Sequence, residues 1–133
     1  MPGSGGTLAV RLQEHVRVLA GEIGERHAGR PGSLEATALY IGKSLMESRY
    51  DIEGQPFEVS GKEVLNVCSE HKGVERPEEI LVIGAHYDTV PHCPGANDNG
   101  SGVAALLEIA RGCRATTFGR TVRFVAAGAW LEL

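Results

Sequence analysis

A histidine at the end of an apolar run, a carboxylate two positions on and a second carboxylate just before a helix are the residues of this sequence best suited to chemistry. They are His86, Asp88 and Asp98, in the stretch GAHYDTVPHCPGANDNGSG. A neutral imidazole is a good zinc ligand, and a metal-bound histidine usually donates its other ring N–H to a carboxylate that fixes its tautomer. Asp88 suits that role. Asp98 stands where a helix dipole and free N–H groups favour a charged carboxylate, and such a group can bridge two metal ions. Gly100 and Gly102 are expected to let the backbone turn tightly into the helix. Plainer readings exist for both ligand candidates: a hydrogen-bonded histidine at a strand end for His86, and a helix-capping carboxylate for Asp98. His92 and Cys93, beside Pro94, read as loop, and His15, His27 and His71 as ordinary surface residues.

A loop of this kind needs a sheet to carry it. Leu8, Leu12, Val16, Leu19 and Ile23 recur at helical spacing and predict an amphipathic helix. GRPG (Gly29 to Gly32) ends it, and Ser33 is expected to cap a second helix with the face Leu34, Ala38, Ile41 and Leu45. Phe57 and Val59 end a short strand, Gly61 and Lys62 turn the chain, and Val64 to Cys68 return it as a hairpin. Ile80 to Ile83 form an unbroken apolar run, the pattern of a central strand buried on both faces. A helix from about Ser101 to Arg111 and an apolar strand around Val122 to Ala126 complete a βαβ unit. Its right-handed crossover places the loop from Gly84 to Gly100 at the carboxyl end of the sheet, where open α/β folds bind ligands.

Composition narrows the class. The 133 residues are 42% hydrophobic and 23% charged, with a formal net charge of −4, so a basic footprint for nucleic acid is missing. The sequence shows neither a membrane-spanning run nor a secretory leader, and the reading is a soluble, cytoplasmic chain. Cys68, Cys93 and Cys113 lack CxxC spacing and suggest neither a disulfide framework nor a structural zinc knot. Gly100, Gly102 and Ala105 match a dinucleotide fingerprint formally, but a long loop separates them from the preceding strand and no acidic residue ends the next one. Ser101 lacks the strand–turn–helix elbow of a serine hydrolase.

The longer stretch IGAHYDTVPHCPGANDNGSGVAALLEIAR closely resembles the metal-binding segment of the co-catalytic zinc aminopeptidases, relatives of glutaminyl cyclase and the transferrin receptor. The likeness extends through Arg30, Gly32, Ser33, Gln55, Phe57 and Asn66, and on to TVRFVAAGA. By this resemblance His86 ligates one zinc, Asp88 orients it as part of the catalytic group, and Asp98, flanked by Asn97 and Asn99, bridges two zinc ions. The implied architecture is α/β, a partial zinc-exopeptidase-like fold. It has two N-terminal helices and a mixed sheet of about four strands in the order 1-2-4-3, with one βαβ crossover. The implied activity is hydrolysis of the first peptide bond of a peptide substrate by a metal-activated water.

The resemblance stops short of a whole centre. After the strand matching TVRFVAAGA the family carries two adjacent glutamates, a general base and a zinc ligand, where this sequence has Trp130 and Leu131. Neither role transfers to Glu132, because a shift along a strand end re-aims the side chain. The family's later Asp and His ligands have no counterpart before Leu133. Residues 1–7 are therefore expected to be a flexible terminus and 8–133 a single truncated aminopeptidase-like domain, inactive as an isolated chain, since His86 and Asp98 alone cannot complete a zinc site. Two alternatives accompany this reading. One is a non-catalytic module that self-associates as a homodimer, because the strand Ile80 to Ala85 would become an uncovered apolar edge. The other is glutaminyl cyclase-like acyl transfer through the same loop.

Overall fold

The computed structural model describes residues 6–129; Trp130, Leu131, Glu132 and Leu133 lie outside the described residues, as do residues 1–5 of the expected flexible terminus. Thr7 caps α1 (Leu8–Val16), its hydroxyl oxygen accepting from Val10 N at 3.3 Å. The helix continues in wider turns over Arg17–Ile23. α2 (Ser33–Glu47) follows, and Leu34, Ile41 and Leu45 of the expected face are buried. Ser33 does not cap it. Gly32 holds the cap position, and the Ser33 hydroxyl turns back to the preceding turn, its one proton within reach of the Arg30 carbonyl at 2.8 Å and the His27 carbonyl at 3.1 Å.

Strands β1 (Glu53–Val59) and β2 (Lys62–His71) form the expected hairpin, with Ser60 and Gly61 both at positive φ, 52° and 76°. Two such residues make the primed turn whose twist matches antiparallel strands. β3 (Arg76–His86), α3 (Ser101–Cys113) and β4 (Arg120–Ala127) make the βαβ unit, β3 and β4 pairing in parallel and β4 lying antiparallel to β2. The sheet order is β1-β2-β4-β3, as the resemblance implies. Val122, Phe124 and Ala126 alternate along β4 and share a core with Leu19, Leu34, Ile41, Leu45, Val103 and Leu106 from the helical segments. Tyr50 bridges this core. Its hydroxyl donates to the Ala110 carbonyl, and its ring meets Phe124 edge-on. Among the described residues, no helix is long and apolar enough to cross a membrane.

Two expectations read from local pattern are corrected. β3 is not the central strand that its apolar run suggested but the edge strand that the order 1-2-4-3 implies, and the run is open: Ile80, Leu81 and Val82 are 48%, 56% and 57% exposed. An uninterrupted apolar run carries no periodicity, so it cannot tell a central strand from an uncovered edge. His15 is no surface residue. It is buried between α1, α2 and α3, with Nδ1 2.6 Å from the Tyr40 hydroxyl and Nε2 2.8 Å from Glu108 Oε2, while Arg11 Nε donates to Glu108 Oε1 at 2.8 Å. This cluster holds α1 against α3.

Candidate metal centre

His86 is the last residue of β3, paired with Ala127 at the carboxyl end of the two parallel strands. The chain leaves the sheet there: Tyr87 N–H donates to the Ala127 carbonyl at 2.8 Å, and the buried Tyr87 hydroxyl donates across to the Leu65 carbonyl of β2 at 2.6 Å. Burial pushes the Tyr87 phenol well above its ordinary value, with Asp88 and Glu35 adding to the effect, so the hydroxyl remains a donor. Asn66 contributes at the neighbouring strand end, its Oδ1 accepting from Gly128 N at 3.1 Å.

The three sequence-predicted residues meet at the His86 ring. Nδ1 lies 3.1 Å from Asp88 Oδ1 and 3.2 Å from the Asp88 carbonyl, and Nε2 lies 3.3 Å from Asp98 Oδ1. Asp88 is largely covered and Asp98 is 81% exposed. No side chain caps α3, whose N-cap is Gly100, so the capping role considered for Asp98 is not the one it takes here. Asp98 is held instead in the turn Ala96–Gly100, closed by Gly100 N–H to the Gly95 carbonyl at 2.8 Å, with Gly95 at φ +67°. Asn99 Nδ2 donates to the His86 carbonyl at 3.3 Å.

The glycines of this segment serve space more than rotation. Gly100 enters α3 at φ −54°, which any residue adopts. A Cβ on Gly100 would stand 2.8 Å from the Gly95 carbonyl oxygen, and one on Gly102 would stand 2.3 Å from Asn99 Oδ1. Their bareness lets α3 approach the turn closely.

The donor chemistry can be tested against zinc. Both ring nitrogens of His86 face carboxylates, yet a neutral imidazole has one N–H. With that proton on Nδ1 toward Asp88, the Nε2 lone pair meets the Asp98 oxygen, a contact that a cation between them turns from repulsive to attractive. Two ligands each about 2.0–2.1 Å from a tetrahedral zinc stand about 3.3 Å apart, and the separation here is 3.3 Å. The residues fit as two ligands of a site. Among the described residues, no group of three or more His, Cys, Asp or Glu is assembled to hold a metal ion. His92 is exposed, and Cys93 is an exposed free thiol.

One residue central to this geometry went unread in the sequence. Arg26 is fully buried beneath the loop, and its guanidinium donates to five backbone carbonyls: Leu19, Gly24, Tyr87, Pro94 and Gly95. Burial lowers the guanidinium from its ordinary value and the negative charge of Asp88 opposes that shift.

Residues 66–129 match the model of Peptidase family M28. Aminopeptidase YwaD of Bacillus subtilis is 47% identical over 58 residues, which is 44% of this chain and 12% of that protein. The structure of BSAP, a zinc aminopeptidase from Bacillus subtilis, superposes with a TM-score of 0.80 at 16% identity, covering 86% of this chain and 60% of the other, and so shares its fold. Glutaminyl cyclase from Fimbriiglobus ruber shares it too, with a TM-score of 0.74 at 22% identity over 86% of this chain and 43% of the other. The chain spans a third or less of the length of the curated relatives it matches. The resemblance to zinc aminopeptidases carried by the His86 loop is thus present in both sequence and fold.

Proposed function

We propose that this chain, similar to the Peptidase family M28 over its βαβ half, supplies the His86–Asp98 portion of a zinc centre that cleaves the N-terminal residue from peptides. The observation that carries the reading is the His86 ring set between two carboxylates, Asp88 at 3.1 Å on Nδ1 and Asp98 at 3.3 Å on Nε2. Asp88 accepts a hydrogen bond from Nδ1–H, which keeps the proton on that nitrogen, leaves the Nε2 lone pair available and fixes the ring plane. Asp98, open to solvent, contributes an anionic oxygen beside it. Asn99 holds the His86 backbone through its carbonyl, and the closed turn Ala96–Gly100 holds Asp98. Zinc bound at such a centre would supply a Lewis acid that polarises the scissile carbonyl and lowers the pKa of water.

Two ligands do not complete a hydrolytic zinc site. The proposal is accordingly that the chain binds zinc weakly alone and gains turnover only when further ligands and a general base join it. Isothermal titration with zinc checks the first part: uptake by the wild type that is lost in His86→Ala and weakened in Asp98→Asn supports it, and equal heats for all three overturn it. Adding a fragment bearing the remaining family ligands, with leucyl and glutaminyl peptides as substrates, separates aminopeptidase turnover from glutaminyl cyclisation.

A second reading is favoured by β3. Three consecutive exposed apolar residues on a strand with one unpaired edge present backbone donors and acceptors to another strand. In this reading the chain is a non-catalytic module that pairs with itself through that edge. Sedimentation velocity tests it: a dimer fraction rising with concentration is expected, and a monomer at high concentration overturns it.

A further inference from the structure

We infer that Arg26 is a positioning residue for the metal ligands, its buried guanidinium setting the span of the loop between His86 and Asp98 and hence the separation of the two. The inference rests on the reading that these residues hold zinc. Three of its bonds fall at the two ends of that loop: Nε to the Tyr87 carbonyl at 2.6 Å, Nη1 to Pro94 at 2.8 Å and Nη2 to Gly95 at 2.9 Å. Two more, from Nη1 to the Leu19 and Gly24 carbonyls at 2.8 and 3.0 Å, anchor the guanidinium in the N-terminal helical segment.

The grip reaches both candidate ligands through the backbone beside them. Tyr87 follows His86 in the chain, and the Gly95 carbonyl that Arg26 holds also accepts from Gly100 N, the bond that closes the turn carrying Asp98. Backbone ties reinforce it: Thr89 N–H donates to the Arg26 carbonyl at 2.7 Å, and Arg26 N–H donates to Thr89 Oγ1 at 3.0 Å. The fit is close enough that a Cβ on Gly95 would stand 2.3 Å from Thr89 Cγ2 and 2.8 Å from Arg26 Nη2. A planar fork with donors in fixed directions can hold carbonyls on opposite sides at once, whereas the single nitrogen of lysine cannot. A residue that only stabilised the fold would not need to collect both ends of the ligand loop.

The test measures zinc affinity by competition with a chromophoric chelator, alongside circular-dichroism melts of the same samples, for the wild type, His86→Ala, Arg26→Lys and Thr89→Val. Expected are zinc uptake by the wild type, its loss in His86→Ala, and in folded Arg26→Lys a zinc Kd raised about tenfold or more, the range for groups that orient a ligand. Thr89→Val, which keeps the guanidinium and removes one tie, raises it by a smaller factor. A purely structural role would lower the melting temperature and leave the Kd of the folded protein alone. If His86→Ala loses zinc while folded Arg26→Lys binds as the wild type does, the inference on Arg26 is overturned and the metal reading stands. If the wild type takes up no zinc, or His86→Ala takes it up equally, the metal reading itself is overturned. Should Arg26→Lys fail to fold, Thr89→Val decides: a raised Kd supports the inference, and an unchanged one overturns it.

Discussion

Replacing Glu108 with alanine removes the acceptor that joins α1 to α3. Its side chain is 6% exposed and accepts from Arg11 Nε and His15 Nε2, both at 2.8 Å. Hydrogen bonds to charged groups contribute about 1.5–3 kcal/mol each. The Arg11 side chain, 20% exposed, can turn to water when its partner is lost, whereas His15, 7% exposed, cannot. The expected loss is therefore about 2–4 kcal/mol, below the sum of the two bonds and in keeping with breaking a buried pair from one side. For a chain of this size that corresponds to roughly 10 °C in Tm.

The loss should also depend on pH. Burial alone would raise the Glu108 carboxyl, but the hydrogen bonds from Arg11 and His15 and their charges outweigh it and hold it below its ordinary 4.5. A carboxyl lowered in the folded state stabilises fully above its unfolded value and loses that contribution as pH falls through the folded one. Urea unfolding of wild type and Glu108→Ala at neutral pH, repeated stepwise to about pH 3, should show the gap narrowing only below about 4.5. A gap under about 0.5 kcal/mol at neutral pH, or one that stays constant to the lowest pH, would refute the reasoning.

Asp88→Asn should weaken zinc binding by about 10- to 100-fold in chelator competition with little change in Tm, since it removes the anionic acceptor at His86 Nδ1 and keeps the shape; equal affinity would count against the orienting role. Gly102→Ala should cost about 1–3 kcal/mol in urea unfolding, because its Cβ would stand 2.3 Å from Asn99 Oδ1 and must displace the amide that donates to the His86 carbonyl. A neutral result would mean that Asn99 moves freely. The double substitution Leu81→Lys with Val82→Lys should abolish any concentration-dependent dimer in sedimentation without unfolding the monomer, as both side chains are more than half exposed; a dimer that persists would place the contact elsewhere.

The proximity of His86, Asp88 and Asp98 was legible because a strand-end histidine, a carboxylate two positions on and a carboxylate before a helix lie close together in the chain, where spacing alone predicts nearness. The βαβ unit was legible for the same reason: period and turn chemistry are local. Arg26 was not, since its loop partners lie 61 to 69 residues away and are backbone carbonyls, which no side-chain pattern announces. His15 was misread because helical periodicity marks apolar positions, and a polar residue satisfied by Tyr40 and Glu108 leaves no apolar mark. The role of Gly102 was read as a turn and proved to be clearance, which requires knowing where the Asn99 amide sits.

The buried guanidinium beneath the loop makes the centre a product of the whole fold. A peptide spanning residues 84–102 would contain every ligand candidate yet lack the anchor supplied by Leu19, Gly24 and Arg26. Such a peptide would have to order its backbone at the moment of metal capture, at about 1–2 kcal/mol per residue. The folded chain has met that entropy cost in advance, so the ligands arrive preorganised. The relative placing of His86 and Asp98 is thus inherited from a guanidinium that holds the backbone beside each of them, at Tyr87 and at Gly95.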